Sequence, residues 1–496
     1  MHYPSKKEFI RLAKKGNLIP VYKEISADFQ TPLSAYLKID DGKNSFLFES
    51  VEGEERIGRY SFLGSDPSVV IESKGKLLSI SKKGGKKPIK IRTSDPLKEI
   101  ETFMARYNTV DVDGLPRFFG GLVGFMGYDI IRSIEEIPDS CKDDLKVADI
   151  RLVLADNLLI FDHVKHTIKI VANAHLQGKS KKDIDIAYKG AVKAIEALDK
   201  KLVKHTSKRI PELGDEATNI KFKSNVKKVD FKNGVKKAKE YIKKGDIIQV
   251  VLSQRLETDF KADPLNVYRA LRSINPSPYM FYLSFGRMKL VGSSPEIMVR
   301  GEDGVAELRP IAGTRPRGKT EQEDIRLEKD LLADPKERAE HIMLVDLGRN
   351  DLGRVCVSGT VKVPEFMVIE RYSHVMHIVS DCIGKLSPDS NVYELLKASF
   401  PAGTVAGAPK IRAMEIIDEI EKTKRGPYAG CVGYFSFSGN LDTCITIRTI
   451  LLKGDKAYVQ AGAGIVADSK PEYEYQETLN KAKAMLKAIA MAKMAD

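Results

Sequence analysis

The chain lacks any apolar run of consequence for a membrane: nothing in its 496 residues approaches the roughly 18 uncharged apolar residues a spanning helix needs. A membrane protein is thereby excluded. Its first residues, MHYPSKKEFIRLAKKGN, carry charge where a secretion signal would have its apolar stretch, so the expected location is the cytoplasm. Cysteine is scarce as well. Cys141, Cys356, Cys382, Cys431 and Cys444 include no C-x-x-C pair and stand mostly in apolar settings, which argues for reduced, buried thiols and against structural zinc. Aromatics are sparse in the lysine-rich stretch from Lys179 to Lys244, which supplies much of the net charge of +13. Such a run reads as a solvated helical surface, not as a nucleic-acid interface, and its charge also suits anionic substrates.

What is present is a soluble globular composition, 42% hydrophobic and 30% charged, over a length that favours two or three structural units. Asp183 to Leu202 has apolar residues at helical spacing, and Thr206 to Lys228 loses that periodicity, as a linker would. Residues 230 to 245, DFKNGVKKAKEYIKKG, resume as an amphipathic helix ending at Gly245. The expected division is therefore 1–175, a helical and linker segment 176–228, and 229–490. Residues 429 to 467 read as three strands, AGCVGYFSF, DTCITIRTILL and AYVQAGAGIV, joined by short turns as a β-meander. A fainter echo, GGLVGF then DIRLVLADNLLIFD then TIKIVANA, begins at Gly120 and predicts two similar antiparallel sheets. Helical apolar spacing at 321–353 and 408–424 completes a mixed α and β class.

Gly313 to Thr320, GTRPRGKT, matches the phosphate-binding pattern G-x-x-x-x-G-K-[ST], and Ile342 to Asp346 resembles the string that accompanies it in nucleotidases. The match is rejected on its context. Pro316 removes a backbone donor, and the preceding AELRPIA alternates and contains Pro310, whereas a central parallel strand is almost continuously apolar. The accompanying string also carries charges at helix spacing.

Three groups suggest chemistry. Glu474 and Glu477 are three apart on a predicted helix with Lys481 one turn further, so carboxylates project together as ligands for a hard cation, or else form an ordinary solvated face with an ion pair. Glu340 precedes His341 and an apolar helical run, and a largely buried glutamate needs a partner or a metal. His374 and His377 lie in the apolar YSHVMHIVS, where a satisfied core histidine is the commoner state, and nothing is spaced to complete a zinc site with them. In QAGAGIV, residues 460 to 466, glycines permit close backbone approach to a carboxylate. Arg448, read as alternating with Ile445 and Ile447 on the strand before, supplies a bidentate clamp for a second one. A small dianion fits both.

Taken in order, GDIIQVV, NPSPYMFYL, GSSPE, PIAGTRPRG, AEHIMLVDLGRNDLGR, YSHVMH, PAGTVAGAPK, RGPYAG, CITIRT and AGAGIV followed by E-x-x-E resemble the chorismate-utilising enzymes, and among them the large, aminating subunits of anthranilate synthases. The resemblance covers nearly the whole chain. It implies an α+β fold of two antiparallel sheets packed as a sandwich with outer helices. It also implies Mg²⁺ as cofactor, with Glu340 and Glu477 as ligands and Glu474 nearby, gripping the ring carboxylate of chorismate. Arg448, Tyr428 and the backbone of Gly462, Ala463 and Gly464 are implied for the enolpyruvyl carboxylate, Gly313 and Thr314 for the ring, and Lys481 as support at the metal end. Ammonia then attacks C2, Glu296 protonates the departing C4 hydroxyl, and His377 serves the loss of pyruvate from the aminodeoxyisochorismate so formed.

Two residues set the chain apart from its relatives. Water-adding enzymes of this type carry a lysine base where Gln249 stands, and aminodeoxychorismate synthases use a nucleophilic lysine where Ala312 stands. An enzyme that halts at aminodeoxyisochorismate is not excluded. FLFES, residues 46 to 50, stands where the family usually has LLES, and with NPSPYM it implies a tryptophan feedback site of Glu49, Ser50, Pro278, Tyr279 and Met280. Packing between the two units is the plainer alternative. No G-x-C-x-G nucleophile appears, so the resemblance implies a separate glutamine amidotransferase subunit as the source of ammonia.

Overall fold

The computed structural model describes residues 1–50, 58–204, 212, 220–372 and 375–495. Alternation decides its architecture. In the strand Asn44–Glu49, Phe46 and Phe48 turn to one side and Leu47 to the other; in Tyr279–Phe285, Phe281, Leu283 and Phe285 oppose Met280 and Tyr282. Strands apolar on both faces must be covered on both. One face meets a second sheet, and the other is roofed by the helices Lys181–Val203, Pro264–Ile274 and Pro471–Met494.

The first sheet runs Leu18–Ser26, Thr167–His175, Asn157–Asp162, Tyr60–Ser65, Asn44–Glu49, Tyr279–Phe285, Met288–Ser294, Thr449–Lys453, Lys456–Ile465, Gln249–Asp259, Lys223–Ser224. The second runs Ile311–Pro316, Val375–Lys385, Val305–Leu308, Ile297–Glu302, Leu441–Ile445, Cys431–Ser436, Gly121–Met126, Ile150–Ala155, Val69–Lys74, Leu77–Lys82, Ile89–Arg92. Neighbours are antiparallel in both. Strands from 1–175 meet strands from 229–490 once in each sheet, at Phe46 opposite Leu283 and at Val123 opposite Tyr434, so the two regions share both sheets and one core.

The expected meander is not one. Its strands divide between the sheets as two hairpins, Cys431–Ser436 with Leu441–Ile445 and Thr449–Lys453 with Lys456–Ile465. The middle strand breaks at Thr446 to Arg448, where Arg448 takes φ +50 and the chain crosses the sandwich. The earlier echo does the same at Asp156, between Ile150–Ala155 in one sheet and Asn157–Asp162 in the other. What repeats is therefore a sheet-switching unit, not a sheet. The two copies meet strand to strand with Gly124 opposite Gly433, and a Cβ on either would come within 2.0 Å of a backbone carbonyl. Helix Lys228–Lys244 ends at Gly245, φ +82, as the sequence predicts, whereas most of the linker from Thr206 lies outside the described residues. Among the described residues no helix is long and apolar enough to cross a membrane, and the five thiols are unpaired.

Candidate active site

Two helices bring acids to one cleft. Helix Pro335–Gly353, capped by Asp334, carries Glu337 and Glu340 one turn apart, and helix Pro471–Met494 carries Glu474 and Glu477 in the same spacing. Their charges interact: burial, then the neighbouring Glu337, with a further push from Glu477, raises the Glu340 pKa above the ordinary carboxylate range. Burial also raises that of Glu474. Lys481 Nζ bonds Glu477 Oε1 at 2.6 Å and the carbonyl of Gly462 at 3.1 Å, while Gln249 Nε2 stands 3.5 Å from Glu340 Oε1. Among the described residues no three His, Cys, Asp or Glu side chains converge closely enough to enclose a metal by themselves. An all-oxygen set of mutually repelling carboxylates is nonetheless the donor chemistry of a hard divalent cation that retains water. Glu337 was not singled out from the sequence, although its signal was there, since E-x-x-E occurs at 337–340 as at 474–477.

Across from these acids stand a buried guanidinium and an open glycine edge. Arg448 sits at the sheet crossover and not on a strand beside Ile445 and Ile447, as alternation had suggested; its Nη1 donates to the carbonyl of Lys481 at 2.7 Å. Gly462 and Gly464 lie within Lys456–Ile465, paired on one edge only with Gln249–Asp259, because Thr449–Lys453 stops opposite Val459. The Gly462 carbonyl points at Lys481, so the N–H groups of Gly462 and Gly464, two residues apart in an extended strand, share that open edge, with Ala463 facing the other way. A Cβ on Gly462 would approach the Tyr428 hydroxyl to 2.6 Å. Burial pushes the Tyr428 pKa up to about 12, so it is a neutral donor.

The third wall is the rejected phosphate motif. Ile311–Pro316 is a strand with a bulge at Gly313, φ +69, which turns Thr314 toward His377 on Val375–Lys385. His377 Nδ1 lies 2.9 Å from the Gly313 carbonyl and 3.0 Å from Thr314 Oγ1. A carbonyl only accepts, which assigns the proton to Nδ1 and leaves Nε2 as a lone pair. Burial lowers the His377 pKa, favouring that neutral ring. The Gly318 N–H and Arg317 are both spent on Asp324, and the string at 342–346 lies inside helix Pro335–Gly353, so no phosphate cradle exists there. Glu296, at the start of Ile297–Glu302, is buried; desolvation raises its pKa to about 8, and Thr404 Oγ1 holds it down in part while falling short of a formed hydrogen bond. A carboxylic acid is what such a site keeps at neutral pH. His374 lies outside the described residues.

A separate cavity lies at the seam between the two sequence regions. Glu49, Ser50, Pro278, Tyr279 and Met280 all line it, with Arg117, Arg300 and Asp442, which the sequence reading missed because they come from three distant strands or loops. Glu49 is buried and accepts from Tyr268, with Arg272 at 3.4 Å.

Fold and cleft together mark a class, and comparison agrees: residues 43–487 match the family model of the chorismate binding enzymes, so the chain belongs to that family. More particularly, it is similar to anthranilate synthase component 1 of Acetivibrio thermocellus, 49% identical with 99% of each chain covered, and to that of Aquifex aeolicus, 48% identical with 98% of each covered. The crystal structure of anthranilate synthase component I from Streptococcus pneumoniae superposes with a TM-score of 0.77 at 36% identity, over 93% of this chain and 99% of that one. The isochorismate synthase MenF of Escherichia coli shares the fold, TM-score 0.71 at 20% identity over 98% of each chain.

Proposed function

We propose that the chain is the aminating subunit of an anthranilate synthase, converting chorismate and ammonia to anthranilate and pyruvate through aminodeoxyisochorismate. The observation that carries this reading is the cleft with glutamates at one end and Arg448, Tyr428 and an open glycine edge at the other, which fits a dicarboxylate whose two anionic groups are held in different ways.

Glu340 and Glu477 would hold Mg²⁺, with Glu337 and Glu474 behind them. When bound, the cation draws electron density from the ring toward the C1 carboxylate. Lys481 steadies Glu477, and Arg448 with Tyr428 and the N–H groups of Gly462 and Gly464 fixes the enolpyruvyl carboxylate. Glu296 gives its proton to the C4 hydroxyl as ammonia bonds to C2, and His377, with Nε2 free, takes the proton from C2 as pyruvate leaves. Gln249 is a neutral amide, which cannot activate water for attack at C2, so the isochorismate route is not served. Ala312 likewise offers no nucleophile for the aminodeoxychorismate route. The seam cavity is assigned to tryptophan as feedback inhibitor, and a glutamine amidotransferase subunit to ammonia supply, in a heteromeric assembly in the cytoplasm.

The test is product identity. With chorismate, Mg²⁺ and ammonium, the chain alone should form anthranilate and pyruvate in equal amounts; amine incorporation without pyruvate would mean that it halts at aminodeoxyisochorismate.

A further inference from the structure

Behind Glu296, away from the substrate walls, lies a cavity of about 40 Å³, room for roughly two or three waters. Of the residues lining it, Glu296 and the Thr404 beside its carboxyl also face the cleft. Leu344, Leu347, Gly348 and Asp351 line it from one face of helix Pro335–Gly353, at i, i+3, i+4 and i+7, and Gly403 and Thr404 close it opposite. The same helix carries Glu340 into the cleft about one turn before Leu344 and three turns before Asp351, so Asp351 lies roughly 16 Å from Glu340 along its axis. Asp351 also lines a second, larger cavity of about 260 Å³, bounded by Glu135, Arg354, Phe400 and Met414. Arg354 is half-exposed and Ile411, on the same rim, is 47% exposed, so this outer cavity opens toward solvent.

Asp351 is the partition between the two. It is 7% exposed, and its carboxylate takes a hydrogen bond from Lys410 Nζ at 2.7 Å, which also donates to the carbonyl of Ser399 at 3.0 Å. Arg354 on its own helix and Glu135 across the outer cavity are the other charges facing this pair; Arg309, which lines the inner cavity, is engaged with Glu370, and Lys481 faces Glu296 from the cleft side. Glu296 is itself 7% exposed and lines the inner cavity, and during turnover the substrate would cover it from the cleft side.

We propose that the paired cavities are the path along which the Glu296 carboxyl regains its proton from solvent between turnovers, with Asp351 as the relay. This rests on the reading of Glu296 as the acid at C4. The step is redox-neutral. Glu296 gives a proton to the C4 hydroxyl as the C–O bond breaks, leaving a carboxylate and one water. A water in the inner cavity then passes a proton to that carboxylate and takes one from the Asp351 carboxyl, which is reprotonated across the outer cavity by a dissolved acid. One proton enters for each one delivered, and one leaves to solvent from the new C2 ammonium as it becomes the amine, so the reaction with ammonia consumes no net proton. The direction is favourable, because burial raises the Asp351 pKa to about 6 and that of Glu296 to about 8. Lys410 keeps Asp351 the more acidic of the two.

Rapid-quench kinetics on the full chain with chorismate, Mg²⁺ and ammonium reads this directly. Asp351→Asn should complete its first turnover at the parent rate and then slow by about tenfold or more, with chorismate KM within twofold. Imidazole buffer, small enough for the outer cavity, should restore the steady rate saturably while leaving the parent unaffected. Leu347→Phe, which fills the inner cavity and spares both charges, should show the same burst, and it serves if Asp351→Asn does not fold. Unchanged steady rates in both variants overturn the relay, as does a loss without burst or buffer rescue, which marks a merely structural role. Glu296→Gln separates the two readings: if it is fully active the acid assignment itself falls, and if it is inactive while the Asp351 and Leu347 variants turn over normally, only the relay does.

Discussion

Glu296 shows how burial, against the opposing pull of its polar neighbours, sets a residue's chemistry. With a pKa near 8 in the folded chain and about 4.3 in a free peptide, it is protonated when folded and ionised when unfolded throughout the interval between. The native state binds the extra proton there, so stability falls as pH rises from the lower value to the upper. Glu296→Gln should therefore lose about 10² to 10⁴ in turnover and, above pH 8, unfold at a higher temperature than the parent. In the parent, kcat/KM should decline as pH rises through about 8; a flat profile to pH 9.5 would leave the acid unidentified. At this scale the sequence was informative wherever function demands a residue type. Glu340, Glu477, Arg448 and His377 were all legible as candidates, and the structure brings them near one another: Glu477 bears on Glu340 and Arg448, and Arg448 on His377. Glu337 escaped because a glutamate pair three apart on a helix has many innocent explanations, such as the ion pair Glu337 makes with Arg315, and its meaning comes from the helix that faces it.

Elements place what residues only supply. Strand Ile311–Pro316 bulges at Gly313 so that Thr314 and His377 meet, and an added Cβ there would lie 3.0 Å from Leu331 and 3.2 Å from Glu337 at a φ that L residues seldom adopt. Gly313→Ala should cost about 1 kcal/mol or more in stability and a larger share of activity, with the thermal midpoint and kcat measured side by side. The bulge was not legible, since alternation in a sequence predicts register but not where an extra residue enters. Nor was the crossover at Arg448. Ile445 to Thr449 alternates like one strand, and only the demand of the first sheet for Thr449–Lys453 and of the second for Leu441–Ile445 divides it. The helices were easier, because a terminating Gly245 and an apolar stripe announce themselves locally, although the Ser180 cap that starts Lys181–Val203 was not read.

Across the whole molecule, a repeated unit meets itself along Gly121–Met126 and Cys431–Ser436, and the seam cavity lies beside that junction, sharing the strands that lead to the cleft: Arg300 lines the cavity four residues after Glu296, and Asp442 six before Arg448. A ligand at the seam therefore bears on strands that end at the reacting groups. The chain contains no tryptophan, so added tryptophan can be followed by its own fluorescence. It should bind the parent and suppress turnover, and Ser50→Phe should bind it far more weakly and remain active in its presence; a parent insensitive to millimolar tryptophan would remove the regulatory assignment. The internal echo was visible in the sequence, but its division between two sheets was not, because pairing partners far apart in the chain leave no local mark.

Glu340 and Glu477, one from each of two helices, are the proposed holders of one divalent cation for a cyclic dicarboxylate, with Glu337 and Glu474 behind them. The most direct measurement is a Mg²⁺ titration of chorismate turnover, read as anthranilate fluorescence with ammonium as the amine, in the parent and in Glu340→Gln and Glu477→Gln. Saturable Mg²⁺ dependence in the parent and loss of nearly all turnover in each variant is the predicted result; turnover by Glu477→Gln at the parent rate and the same Mg²⁺ midpoint would contradict it.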